Sequence, residues 1–252
     1  MSHWTRFAAA ALPALLAVAV AGCGGPSPHR GQDKSKSASQ NTSNNLTNGF
    51  SFAHTSLPAQ SLNYQLSGAL SGTVTWRITQ QGPDRTLLVM HQVIGTKVED
   101  DRVVLTRQGL RFISAEEVIT SPGHRVTFSA RVAGKNIVDS GNVDGKTATV
   151  KMPFGPNTIA NIALLPTLAA VDVKPGQLQL VQDAIIKTGT EVPIGFTAND
   201  RTRVTTPAGT FNCVPVTLSG SGPNQKAFID TKSHTLVQFV SGQTTLTLVG
   251  RS

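Results

Sequence analysis

Aromatic side chains are scarce in this chain of 252 residues: they make up 5% of it and include a single tyrosine. A core must therefore be filled mainly by Val, Leu and Ile, and plentiful threonine and valine suit pleated sheets better than helices. Only two cysteines occur, Cys23 and Cys213. If Cys23 is consumed by the chemistry described below, no disulfide can form within the chain, even in an oxidising compartment. Cys213, inside the apolar stretch 211–218, then reads as a small buried hydrophobe. Runs of one charge are also missing. The formal net charge is +8, and +7 once Arg6 is removed with the leader, but the bases are scattered with no run longer than Lys34-Ser-Lys36. Such spacing describes a solvated basic surface with some attraction for anionic lipid, and no nucleic acid is expected as a partner.

The catalytic signatures are missing too. No Gly-x-Ser-x-Gly elbow, phosphate-binding glycine loop or metal-ligand histidine spacing is present. His29, His54, His91, His124 and His234 stand apart. In the stretch from Asp139 to Gly145, the residues Ser140, Asn142, Asp144 and Gly145 imitate a calcium loop. The twelfth position, which should be a bidentate Glu, is Lys151, and strand patterns flank the loop, so a hairpin turn is expected there. Glu99-Asp100-Asp101 and Glu116-Glu117 are expected in solvated turns, since neighbours on a strand point to opposite faces and cannot act as a pair. We therefore expect no enzyme, no catalytic residue, no metal and no cofactor.

What is present first is an address. Met1 to Arg6 is a short basic start, Phe7 to Ala21 is an uncharged run, and Val20-Ala21-Gly22-Cys23 follows. A basic start and apolar run of this length form an export signal. The last four residues match the bacterial lipobox, so residues 1–22 are expected to be a signal peptide and Cys23 the lipid-modified first residue. The run is too alanine-rich, and too interrupted by Pro13, for a spanning helix. Diacylglycerol on Cys23, with palmitate-type acyl chains, would anchor the protein stably. The expected location is extracytoplasmic and membrane-anchored, with inner or outer membrane left open. Residues 23–56 are rich in Gly, Ser, Asn, Gln, Lys and Pro and read as a disordered tether.

Residues 57–252 read as one β-rich domain. Leu62, Tyr64 and Leu66 alternate, as do Val74, Trp76 and Ile78, and turn signals recur at intervals typical of all-β folds. The expected class is mainly β: a curved antiparallel sheet, open or partly closed as a barrel, with one short apolar helix. That helix falls between Asn157 and Val171, interrupted near Pro166, and should plug one end of the sheet or cap a cavity beneath it. Its residues Ile159, Ile162, Leu164, Leu165 and Leu168 are the candidate lining of a site for an apolar small molecule or lipid. The competing expectation is a structural module that contacts another envelope protein through strand edges.

The segment Thr205-Thr-Pro-Ala-Gly-Thr-Phe-Asn-Cys-Val-Pro-Val216 resembles a motif of an exported bacterial β-rich family of unknown function, in which a Thr-Pro-small-Gly-x-Phe turn leads into a strand. Tyr64 with Gly68 and Gly72, Gln108-Gly-Leu-Arg111, Lys174-Pro-Gly-Gln177 and Ala227-Phe-Ile-Asp-Thr-Lys232 with Leu236-Val-Gln238 follow the same order. The resemblance covers about residues 62–249 and implies a curved β architecture in the envelope, with no activity attached. The anchor and layout also resemble lipid-carrying envelope lipoproteins, whose open sheet is closed by helices. Read physically, Pro207 and Gly209 shape a turn and Phe211 begins the burial of the next strand.

Overall fold

The computed structural model describes residues 55–143, 145–173, 175–176, 178–220 and 225–252. The expected export signal at 1–22, Cys23 and nearly all of the expected tether at 23–56 lie outside these residues, as do Asp144, Lys174, Gln177 and residues 221–224.

Alternation of apolar and polar residues builds a meander of β1 (Gln60–Gly68), β2 (Gly72–Gln81), β3 (Arg85–Ile94), β4 (Lys97–Thr106), β5 (Phe112–Ser121), β6 (His124–Ala133), β7 (Asn136–Val143) and β8 (Lys146–Pro153). Then come β9 (Thr158–Ala160), a 3-10 turn (Asn161–Ala163) and α1 (Leu164–Ala170). The chain continues through β10 (Leu178–Ile185), β11 (Thr190–Ala198), β12 (Thr202–Thr206), β13 (Gly209–Ser219), β14 (Gln225–Asp230), β15 (Thr235–Ser241) and β16 (Thr244–Arg251).

These strands make one curved sheet, in the order β8-β7-β6-β5-β4-β3-β2-β1-β16-β15-β14-β13-β11-β10-β9, with β12 paired only to β13. Pairing is antiparallel except between β9 and β10. The first half grows outward from β1. The second starts at the far edge and returns inward until β16 pairs with β1, with Leu66 opposite Leu246 and Tyr64 opposite Leu248. The sheet does not close into a barrel; its outer strands are β8 and β9.

Inward positions carry the core, including Leu62, Tyr64, Leu66, Val103, Leu105, Phe196, Val216 and Phe239. Tyr64 packs against Trp76 with ring centroids 4.9 Å apart, and its hydroxyl donates to the Leu236 carbonyl at 3.0 Å. An inward tyrosine thus satisfies its polar end while its ring fills the core.

The segment between the two halves differs from the expectation in two ways. Thr158–Ala160 is a strand lying parallel on β10, paired at Gln182 to Ala184. The helix also runs through Pro166 without interruption. Pro166 is its third residue, where the missing N–H had no helical acceptor to lose. Every residue of α1 is buried, as expected of a helix apolar all round. It lies over β14 and β15, while the 3-10 turn lies against β4 and β10. Arg111 holds the entry to this crossing, donating to the carbonyls of Pro156 at 2.5 Å and Gly155 at 2.8 Å while stacking 4.5 Å from the Phe154 ring centroid.

Although the sheet is open, the β10–β11 turn approaches the outer strand β8. A methyl group added at Gly189, in the β10–β11 turn, would lie 2.6 Å from Val150 on β8, and Gly189 has φ +65°. Gly123 has a similar φ of +76° but nothing near it. We expect Gly123→Ala to cost about 1 kcal/mol from the backbone alone. Gly189→Ala adds overpacking of about 1–3 kcal/mol, so thermal denaturation of the two variants should show the larger loss at Gly189.

Candidate functional site

The most unusual chemistry lies on the concave face of β4 and β5. Along β4 the inward register that buries Val103 and Leu105 continues back to Asp101 and Glu99, and along β5 Glu117 sits between inward Ala115 and Ile119. Asp101 is directly opposite Glu117 across the strand pair. Glu99, Asp101 and Glu117 are all buried, which corrects the expectation that these acids occupy solvated turns. Asp100 and Glu116 do face solvent. The alternation rule was sound; the pairing that matters is across strands at period two, not between neighbours.

Two ammonium groups compensate the cluster. Lys187 enters from the β10–β11 turn, 16% exposed at its side chain, and forms ion pairs with Glu99 at 2.9 Å and with Glu117. Lys97 reaches Glu99 at 2.7 Å. Asn161 anchors the turn that delivers Lys187, its Oδ1 accepting the Ile186 N–H at 3.2 Å. Burial works to raise the Glu99 carboxyl, but Lys187, a hydrogen bond with Glu117 and Lys97 outweigh it and lower it to about 2. Burial, then the charge of Glu99, raises Asp101 to about 7. Burial also pushes Glu117 well above the usual carboxylate range, although Lys187 opposes this. The cluster therefore holds a firm anion at Glu99 and an exchangeable proton over Asp101 and Glu117.

Carboxylate oxygens of Glu99, Asp101 and Glu117 lie within 4.8 Å of one another, a spacing that suits a metal ion. The Lys187 ammonium already pairs with two of them, so a cation would have to displace it.

Beside the cluster is a cavity of about 50 Å³, with Val74, Trp76, Met90, Ile162, Leu165 and Leu246 as its apolar wall. Gln92, Asp101 and Lys187 contribute to its polar side. Gln92 Nε2 and Asp101 Oδ1 are buried with no hydrogen-bond partner among the described residues. Of the five residues expected to line an apolar site, Ile162 and Leu165 face this cavity. Leu164 and Leu168 belong to the core, and Ile159 packs partly buried at its margin from β9. Sequence reasoning missed the polar half, although the inward period of β4 and β5 points to it.

The remaining candidates have structural places. Ser140 and Asn142 lie in β7, where Ser140 bonds Thr149 across the hairpin at 3.0 Å and Asn142 Oδ1 accepts the Gly145 N–H at 3.0 Å. Cys213 is buried, and burial with the charge of Asp230 pushes its thiol up to about 12. That pKa keeps the sulfur protonated and unreactive.

No family model matches this chain, and no curated protein matches it. Two solved structures resemble it. One is a suspected lipoprotein from Parabacteroides distasonis ATCC 8503, at 12% identity, covering 81% of this chain and 99% of the other, with a TM-score of 0.31. The other is a suspected exported protein with a YmcC-like fold from Bacteroides fragilis NCTC 9343, at 11% identity, with the same coverages and a TM-score of 0.29. Likeness at this level assigns no function, and the architecture above rests on this chain's own strand order.

Two further acids are buried on the sheet, Asp139 and Asp183. Burial raises both to about 7, opposed at Asp139 by the Ser140 backbone, and neither oxygen of Asp183 has a hydrogen-bond partner among the described residues. With Asp101 also near 7, the folded state holds protons that the unfolded chain releases near pH 4. Stability from these groups is complete below pH 4 and is lost as pH rises to about 7. Glu99 acts oppositely, but only as pH falls below about 4. We expect a higher melting temperature at pH 5 than at pH 8. Asp183→Asn should recover on the order of 1–2 kcal/mol at pH 8 and flatten the profile, as measured by thermal denaturation across pH.

Proposed function

We propose that the protein is a lipid-anchored, non-catalytic binding module of the bacterial envelope, moored by diacylglycerol on Cys23, that accepts an apolar ligand carrying a small polar end. The observation that carries this reading is the cavity beneath the 3-10 turn and α1, in which an aliphatic and aromatic wall meets the unpartnered groups of Gln92 and Asp101. A ligand site of this kind is concave and mostly apolar, with a few placed polar groups. The lining has no Ser, Cys or His to serve as a nucleophile or imidazole base, and its most acidic carboxyl, Glu99, is committed to lysines.

At about 50 Å³ the cavity is far below the roughly 300 Å³ of a complete ligand pocket. Admission of a lipid chain therefore requires the segment 161–170 to shift. Neither helical piece has a side-chain cap at its start, so apolar burial and the Asn161 bond hold the segment in place. Mass spectrometry of the purified full-length protein tests both halves of the reading. The amino-terminal peptide should begin at lipidated Cys23, and solvent extraction should release one apolar molecule per chain, lost in Leu165→Trp. A protein that carries no such molecule and ignores added lipid refutes the binding role.

The second reading is an interaction module. Leu178 and Leu180 are 53% and 49% exposed, on the part of β10 before its pairing with β9 begins at Gln182. Strand edges of this kind accept partner strands. Site-specific crosslinking from position 180 in intact cells should capture one envelope protein on this reading and only scattered products on the first.

A further inference from the structure

A second concavity lies outside the sheet's interior, between the β12–β13 hairpin and the β14–β15 turn. It is an open cleft of about 470 Å³, and Arg201, Lys232 and Arg251 converge on it. All three are exposed, and none has a carboxylate within ion-pair distance among the described residues. The one acid in the cleft, Asp230, is engaged by its own turn, accepting from the Lys232 N–H at 3.3 Å and the Ser233 hydroxyl at 2.6 Å. Arg201 is held by Thr231, with both terminal nitrogens 3.2 Å from its hydroxyl oxygen. Arg251 stacks 5.4 Å from the Phe211 ring centroid, while Asn212 and Thr210 add neutral hydrogen-bonding groups. Two guanidinium forks and an ammonium on one rim match the oxygens of a phosphate.

The position of the cleft narrows the source of that phosphate. Ser61 and Ser252 exchange backbone hydrogen bonds at 2.8 and 3.0 Å, and Leu62 is opposite Arg251. Before β1 the chain crosses this same end of the sheet, the Leu57 carbonyl accepting from Gln80 at 2.8 Å and the Thr55 carbonyl from the Gly109 N–H at 2.9 Å, so the first described residues share the end that carries the cleft but lie several strands from it. The turns that carry Arg85 and Arg107 lie at this same end, joined by the Arg107 N–H to the Asp84 carbonyl at 2.8 Å. We propose that this cleft binds the phosphate of an anionic lipid headgroup and seats the anchored domain with this end on the membrane. The orientation rests on the anchor proposed above; the recognition of phosphate does not.

Calorimetric titration of the full-length protein in non-ionic detergent tests this, using short-chain phosphatidylglycerol, short-chain phosphatidylcholine and inorganic phosphate as probes. Phosphatidylglycerol should bind best, and more weakly as salt is added. Each of Arg201→Gln and Arg251→Gln should weaken it about fivefold, and the pair about 25-fold, with unchanged melting curves. Equal binding of phosphatidylcholine, or indifference to the double substitution, overturns the site. Inorganic phosphate binding as tightly as phosphatidylglycerol overturns the lipid assignment. The mass of the amino-terminal peptide reports Cys23 separately, so failure of the anchor and failure of the cleft give different results.

Discussion

A sheet that curls without closing leaves an apolar concave face that something must cover, and that requirement governs this structure. The cover is the chain's own crossing segment, from β9 through α1, which is almost wholly buried. It lacks the polar face of an ordinary surface helix because it has no solvent side. Each half of the sheet contributes to its surroundings, with β4 below the 3-10 turn and β14 and β15 below α1. The pairing of β1 with β16 joins the halves into one surface.

The polar interior follows from the same geometry. Among the described residues five carboxyl groups, those of Glu99, Asp101, Glu117, Asp139 and Asp183, are buried, and of these only the first three have described lysines near them. Burying a charge without a partner is costly enough that the group keeps its proton instead. The inner face thus combines one ionised acid with several that titrate near neutrality, a polarity that depends on pH and on what occupies the space beside Gln92 and Asp101. Withdrawing five acids also leaves the exterior more basic than the formal charge of +8 suggests. The bases look scattered along the chain, yet the hairpins return several of them to the end where β1 begins.

Much of the architecture is legible in the order of the residues. The repeated alternation around Tyr64, Trp76, Val103 and Phe239 follows from strands half-buried against a single core, and the hairpin before Lys146 follows from turn chemistry. The apolar segment with Ile162 and Leu165 was readable as a cap for the same reason, since no water-facing residues interrupt it. The short strand Thr158–Ala160 was not, because three residues carry too little periodicity to separate strand from helix. The acid cluster was misread because Glu99, Asp101 and Glu117 look like solvated residues when taken with their chain neighbours. Their burial shows only when the inward period is carried back from Val103 and Leu105.

By itself, then, the sequence determined the β class, the apolar cover and the composition of the core, because those depend on patterns a few residues long. The expectation of a lipid anchor likewise rests on Val20 to Cys23, a local pattern that needs no fold to be read. Tertiary structure alone decided which distant charges meet. Lys187 reaches Glu99 and Glu117 from 70 or more residues away, and Arg201, Lys232 and Arg251 share a cleft only because β12 to β16 bring their ends together. Contacts of that range are set by strand order and curvature, and no local periodicity encodes either.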